Sequence, residues 1–261
     1  MRIQPKKRLG QNFLFDKNVQ RKIIEACGLG PGDIVLEIGS GRGELTEHLI
    51  MAADKVFAVE LDKDLCQLLS RRFAKQGNFK IINQDILKLD FSKYFKDLKG
   101  EIKIIGNIPY YISSPIIEHL ARFREKISVI FLTLQKEFAE RLSASPGSKR
   151  YGAFSCFVQY YFEPEILFNI KKTSFHPSPK VDSAFVKLQV RPSPLVITRD
   201  EKLLFRIIRN AFGQRRKTLR NSLKDVISCS SLERFFLQQK ISPNTRPEEL
   251  SLQDFSKLSD L

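Results

Sequence analysis

The sequence predicts an α/β fold, a doubly wound and mainly parallel sheet with a small C-terminal all-helical domain, on three observations. Short β-branched runs alternate with amphipathic stretches through most of the chain, and a glycine-rich turn joins the first of those runs to the pattern behind it. Pro192 and Pro194 then interrupt the alternation, and everything from about Arg199 onward reads helical.

Residues 34–38, 56–59, 79–82, 102–105 and 129–134 are the strands, each dominated by Ile, Val, Leu or Phe, as strands covered on both faces require. Between them, 44–52, 63–75, 115–123 and 136–142 carry apolar residues at helical spacing and fit as crossovers on either face of a sheet. Two more strand-like runs, 166–170 and 184–190, precede the prolines. The boundary falls near Pro194, which divides the chain into a larger domain at 1–194 and a helical one at 195–261.

A length of 261 residues with 42% hydrophobic content suffices for one α/β domain and a smaller appendage. No run approaches the roughly 18 apolar residues of a membrane span, so no membrane association is expected. The basic start (Arg2, Lys6, Lys7, Arg8) runs into Gln11, Asn12 and Asp16 without the apolar core of a secretory signal, and a cytoplasmic location is expected. Cysteines 27, 66, 156 and 229 form no CxxC pair, and with His48, His119 and His176 they suggest neither a disulfide framework nor a metal site. Forty-four Lys and Arg against 29 Asp and Glu give a net charge of +15, which favours a polyanionic partner, nucleic acid foremost. Many basic soluble proteins share such a charge, and it says nothing about chemistry.

The chemistry begins at Glu37-Ile38-Gly39-Ser40-Gly41-Arg42-Gly43, between the first strand and its helix. Gly39 and Gly41 let the backbone approach a ligand at the carboxyl end of the sheet. Glu60 ends the second strand about twenty residues on, where a carboxylate accepts from both hydroxyls of a ribose. A dinucleotide fingerprint would place its third glycine at position 44, where this chain has Glu44, a poor neighbour for a pyrophosphate. The ligand is therefore read as a nucleoside without phosphates. After the third strand, Asp85 is placed to accept from an adenine amino group and Ile86 to cover the ring. Each feature alone passes as a packing glycine or a turn former; their order along successive strand ends points to an adenosine laid across the sheet.

The fourth strand ends in Gly106-Asn107-Ile108-Pro109-Tyr110. Beside a nucleoside site, this loop supplies what methylation of an aromatic amine needs. The lone pair of adenine N6 is delocalised into the ring, so the amine attacks only when acceptors hold its hydrogens toward tetrahedral geometry. The Asn107 side-chain oxygen and the Ile108 carbonyl are such acceptors, Pro109 stiffens the loop, and Tyr110 offers a face for a base taken out of its stack. Rate then comes from positioning and matched electrostatics.

With these motifs the chain resembles the KsgA (RsmA) family of small-subunit ribosomal RNA adenine dimethyltransferases over nearly its whole length. The likeness continues in Lys7-Arg8-Leu9-Gly10-Gln11-Asn12-Phe13-Leu14, in Leu134-Gln135-Lys136-Glu137 with Lys149-Arg150-Tyr151-Gly152, in Phe175-His176-Pro177-Ser178-Pro179-Lys180-Val181-Asp182-Ser183, and in residues 211–223. It implies a Rossmann-like class I methyltransferase sheet that uses S-adenosylmethionine, releases S-adenosylhomocysteine and needs no metal. Asn12 and Leu14 would contact the cofactor with Gly39, Gly41, Glu60, Asp85, Ile86 and Asn107. Phe175 would stack on the target base opposite Tyr110, although one Phe among 21 belongs by default in a core. His176 receives no catalytic role. Arg42 stands where the family often has an apolar residue.

The implied substrate is a pair of adjacent adenosines in a hairpin loop near the 3′ end of 16S rRNA, within the small ribosomal subunit, and the chain is expected to act as a monomer in its biogenesis. Arg206, Arg209, Arg215, Arg216, Lys217, Arg220 and Lys224 face only Glu201 in acidic opposition from 201 to 224, a one-signed stretch suited to phosphates, with Lys6, Lys7 and Arg8 adding to the field. Three rivals differ from this reading. An erythromycin-resistance-type enzyme should lack the segment at 214–223, a DNA adenine methyltransferase should carry another recognition domain, and a non-catalytic assembly factor need not keep Asn107, Tyr110, Glu60 and Asp85.

Overall fold

Every strand expected from the sequence forms, and the order in which the strands lie side by side is what builds the site. The computed structural model describes residues 4–214 and 217–261. In chain order its elements are β1 (Phe13–Leu14), α1 (Lys17–Cys27), β2 (Ile34–Ile38), α2 (Thr46–Ala52), β3 (Lys55–Glu60), α3 (Lys63–Arg72), β4 (Phe79–Asn83), α4 (Phe91–Tyr94), β5 (Ile102–Asn107), α5 (Ser113–Ala121), β6 (Ile127–Gln135), α6 (Lys136–Leu142), α7 (Ala153–Tyr161), β7 (Phe162–Ile170), β8 (Phe175–His176), β9 (Ser183–Val190), α8 (Glu201–Gly213), α9 (Leu219–Leu223), α10 (Cys229–Gln239) and α11 (Leu252–Ser259), joined by short 3-10 turns.

The seven-stranded sheet runs β4-β3-β2-β5-β6-β9-β7. The pairs β2–β3, β3–β4, β2–β5 and β5–β6 are parallel, and β6–β9 is antiparallel. From β2 the chain winds outward one way to β3 and β4 and then returns to β5 on the other side. The switch point of this doubly wound sheet therefore lies between β2 and β5, where open α/β sheets leave a crevice beyond their carboxyl ends. All five residues of β2 are buried, as is expected of a central strand covered on both faces. Burying each such aliphatic side chain contributes about 1.5–3 kcal/mol relative to exposure.

Helix boundaries follow local chemistry. Asp16 caps α1, which the periodic pattern did not reveal, by accepting from the amides of Asn18 and Val19 at 3.0 and 3.3 Å. The helix expected at 44–52 starts only at Thr46, because Gly43 has φ +89 and holds the turn open. A Cβ at Gly43 would lie 2.8 Å from Leu69 Cδ2 and 2.9 Å from Phe73 Cε2, so another residue would be strained by the backbone and would have to displace these side chains. The strand expected at 166–170 extends back to Phe162 and includes Pro164, which is tolerated because β7 is an edge.

The chain divides into two compact units, Met1–Ala139 with Glu165–Val190, and Glu140–Pro164 with Arg191–Leu261. The second begins close to the expected boundary at Pro194 but also takes in a segment from the middle of the chain. That segment carries α7, a short helix in which Ser155 and Gln159 interrupt the apolar residues and which the sequence reading did not assign. Within this unit α7 packs on α8: Tyr161 Oη donates to Glu201 at 2.6 Å, and Phe205 meets Phe157, Tyr160 and Tyr161. No helix among the described residues is long and apolar enough to cross a membrane.

Candidate active site

A cavity opens at the carboxyl ends of the central strands, and the first unit supplies all of its walls. The turn after β2, the end of β3, the turn after β4 and the end of β5 contribute Gly39, Gly41, Glu60, Asp85, Ile86, Asn107 and Ile108, and residues 9–14 close one side. The register that aligns Ile38 with Gly106 sets the glycine turn and Asn107 side by side. Three strand ends expected to carry a nucleoside thus converge with the fourth, which carries the proposed amine clamp.

Glu60 is nearly buried, and both of its oxygens are already oriented: one accepts from the Gly41 amide at 3.1 Å, the other from the Asp62 amide at 2.9 Å. Burial pushes its pKa up, while these backbone hydrogen bonds oppose the rise. Asp85 caps the 3-10 turn Ile86–Lys88 by accepting from Leu87 at 3.0 Å, and Ile86 is buried against the cavity. Asn107 Nδ2 donates to the Asn12 carbonyl at 3.0 Å. With its donor so engaged, the amide keeps Oδ1 as an acceptor. Tyr110 is half-buried, its hydroxyl 2.6 Å from Ser183 Oγ, and burial raises its pKa while Ser183 opposes the rise.

The segment before β1 is fastened down from several sides. Lys6 Nζ lies 2.6 Å from Asp62 and 2.7 Å from Asp64, and Gln11 also donates to Asp62. Lys6, which the sequence reading had added to the basic field, is thus paired with two carboxylates. Arg42 holds its guanidinium 4.4 Å over the Phe13 ring, which gives the charged residue in the glycine turn a role of its own. Leu14 lines the cavity and is buried in the core, its carbonyl accepting from Gln20 at 2.8 Å.

Phe175 is where the structure corrects the sequence reading. It pairs with Leu14 across the β1–β8 ribbon, is only 2% exposed, lies in the core cluster with Ile170 and Phe185, and does not line the cavity. A ring enclosed by core neighbours has no free face for a base. Among the basic positions, Lys7, Arg8 and Lys217 are exposed. Arg220 is exposed too but pairs with Glu233 of α10 at 2.9 Å, an acidic partner that inspection of 201–224 alone did not include. Arg215 and Arg216 lie outside the described residues.

Two further carboxylates line the cavity: Glu37, to which the sequence reading gave no role, and Glu44, which it used only to exclude a pyrophosphate. Glu37 accepts from Thr46 Oγ1 at 2.6 Å, and burial pushes its pKa from 4.5 to about 8. Burial also raises that of Glu44. Among the described residues the lining so holds Glu37, Glu44, Glu60 and Asp85 and no Lys, Arg or His, in a chain of net charge +15. The signal available in the sequence was Glu37 itself, an acid inside an otherwise aliphatic strand. Because Glu37 keeps its proton in the fold and loses it on unfolding between pH 4.5 and about 8, unfolding releases a proton in that window. Stability from this group is full below pH 4.5 and is lost as pH rises through about 8. A thermal-denaturation series from acid to mildly alkaline pH should show Glu37→Gln flattening that decline, with Glu44 and Glu60 leaving a smaller slope of the same sign; an unchanged slope would remove Glu37 as its source.

No cluster of His, Cys, Asp or Glu suited to a metal occurs among the described residues.

Comparison with known proteins places this geometry. A family model described as ribosomal RNA adenine dimethylase matches residues 2–261. The "Ribosomal RNA small subunit methyltransferase A" of Clostridium botulinum (strain ATCC 19397 / Type A) is 42% identical over 255 residues, which cover 97% of this chain and 92% of the relative. Among solved structures, a dimethyladenosine transferase from Plasmodium falciparum superposes with a TM-score of 0.78 at 30% identity, covering 94% of this chain and 95% of that one. The 23S rRNA methyltransferase ErmE gives a TM-score of 0.74 at 24% identity, covering 95% and 98%, and shares the fold. A match that spans the chain from residue 2 to its end, with a cavity built from the ends of four neighbouring strands, means that the chain belongs to the ribosomal RNA adenine dimethylase family.

Proposed function

We propose that the protein transfers methyl groups from S-adenosylmethionine to the N6 amine of adenosines in small-subunit ribosomal RNA, twice at each base. The observation that carries this reading is the oriented Asn107 amide, tied through Nδ2 to Asn12 and left with Oδ1 as an acceptor beside a cavity that Glu44, Glu60 and Asp85 also line. That lining suits a cofactor that bears an ammonium and a sulfonium, and it suits a pyrophosphate poorly. When bound there, S-adenosylmethionine would supply a methyl group activated by positive sulfur, with S-adenosylhomocysteine as the leaving product.

Glu60 would accept from the ribose hydroxyls and Asp85 from the cofactor's adenine amine, with Ile86 covering that ring and the backbone of Gly39 and Gly41 allowing close approach. Asn107 Oδ1 and the Ile108 carbonyl would accept from the two N–H bonds of the target amine and draw its lone pair out of the ring. The Tyr110 ring, fixed by Ser183, would take one face of the extruded base. The amine becomes acidic only as the N–C bond forms, so no strong base is required and the proton passes to solvent.

The substrate implied by the family resemblance is two adjacent adenosines in the hairpin loop near the 3′ end of 16S rRNA, modified during small-subunit biogenesis in the cytoplasm by a monomer without a metal. Lys7, Arg8, Lys217 and Arg220, with Arg215 and Arg216, are the proposed phosphate contacts. The experiment offers labelled S-adenosylmethionine and protein to unmethylated small subunits, large subunits and DNA, and then maps the modified base. Dimethyladenosine in small-subunit RNA is expected; label confined to large subunits or DNA would overturn the reading.

A further inference from the structure

The burial of Phe175 directs attention to the aromatic rings that remain at the cavity. Phe13 is 5% exposed beneath Arg42 and Tyr110 is half-buried, whereas Tyr111 is 64% exposed and also lines the cavity. Tyr111 sits in the 3-10 turn Tyr110–Ile112 directly after Pro109, so its backbone is fixed by the same loop that carries Asn107.

Its ring is backed by bare main chain. Gly10 has φ +62, and a Cβ built there would lie 3.1 Å from Tyr111 Cε1 and 3.3 Å from Pro109 Cβ. Glycine suits both the left-handed backbone and this close approach, which supports one side of the ring. Gly10 in turn closes the 3-10 turn Lys7–Leu9, donating to the Lys7 carbonyl at 3.0 Å, and Lys7 and Arg8 on that turn are exposed. An open aromatic face with cations on the adjoining turn is the arrangement by which proteins hold single-stranded nucleic acid, bases on the ring and phosphates on the charges.

We infer that Tyr111 is a stacking platform for the nucleobase next to the adenine that enters the cavity, with Lys7 and Arg8 neutralising that strand's phosphates. The inference rests on the proposed function and adds a second base site to it. Where two adjacent adenosines are modified, the neighbour held on Tyr111 is the other member of the pair, kept at the mouth while the first reacts.

Two measurements test it. With unmethylated small subunits, Tyr111→Ala should raise the KM for RNA about tenfold, with a smaller effect on kcat. Tyr111→Phe should restore the wild-type value because the ring and not the hydroxyl does the stacking, and Tyr111→Leu should stay impaired. Calorimetric affinity for S-adenosylmethionine should be the same in all. Separately, a short single-stranded RNA carrying 2-aminopurine beside an adenine should lose fluorescence on binding wild type or Tyr111→Phe, and keep it with Tyr111→Ala. An unchanged KM in Tyr111→Ala, impairment in Tyr111→Phe, or equal quenching by Tyr111→Ala would overturn the assignment. Wild type that methylates no small-subunit adenosine would instead refute the proposed function, and the fluorescence measurement would still decide the role of Tyr111.

Discussion

Asn107→Ala is expected to slow methyl transfer about a hundred- to a thousandfold, the range found when one preorganised polar contact to a reacting centre is removed, while cofactor affinity shifts far less. The reason lies in the pairing of Asn107 Nδ2 with the Asn12 carbonyl at 3.0 Å. That bond decides which end of the amide can meet the amine. Asn107→Asp sharpens the test. Its carboxylate retains an acceptor, but the atom replacing Nδ2 is an oxygen set against the Asn12 carbonyl, so the side chain should turn away. Single-turnover rates with saturating S-adenosylmethionine should therefore be low for both variants. A normal rate in Asn107→Asp would mean that any acceptor suffices and that the orientation by Asn12 is irrelevant; a normal rate in Asn107→Ala would remove the clamp altogether.

Glu60→Ala should weaken S-adenosylmethionine binding about a hundredfold, since two hydrogen bonds to a charged acceptor are worth roughly 1.5–3 kcal/mol each and part of that sum is offset by relief of burial. The same carboxylate also anchors the Gly41 and Asp62 amides, so its loss loosens the turn that shapes the cavity. Glu60→Gln is not a mild change here. Both carboxylate oxygens face backbone N–H groups, and an amide must point its own N–H at one of them. Isothermal calorimetry should place Glu60→Gln nearer to Glu60→Ala than to wild type. Wild-type affinity in Glu60→Ala would refute the ribose assignment.

The parts of the site that could be read in the sequence share a physical property: each depends on residues close together in the chain. A strand that is buried on both faces must be an apolar run, and a turn that leaves it toward a ligand needs glycine. Hence the order of strands, the turn at 39–43 and the acids at Glu60 and Asp85 were all visible. Helix α7 was not assigned, and its partners Glu201 and Phe205 stand on a helix about 40 positions away. The α2 boundary shifted by two residues because Gly43 is held by Leu69 and Phe73, which lie on another helix and its end. The opposition of Glu233 to Arg220 was missed because the acid stands 13 positions away on a separate helix.

The sequence by itself determined the fold class, the chemical identity of the residues at each strand end and their order along the chain, since local patterning leaves few alternatives. Tertiary structure alone decided what each side chain faces. Asn12 is 95 positions from Asn107, yet its carbonyl fixes the amide on which the proposed chemistry depends. Phe175, expected at the target base, is instead enclosed by the ribbon it forms with Leu14. Tyr111, which no pattern had singled out, is 64% exposed at the cavity with Gly10 packed against one side of its ring. Orientation and burial follow from partners brought near by folding, and a pattern read along the chain holds no record of those partners.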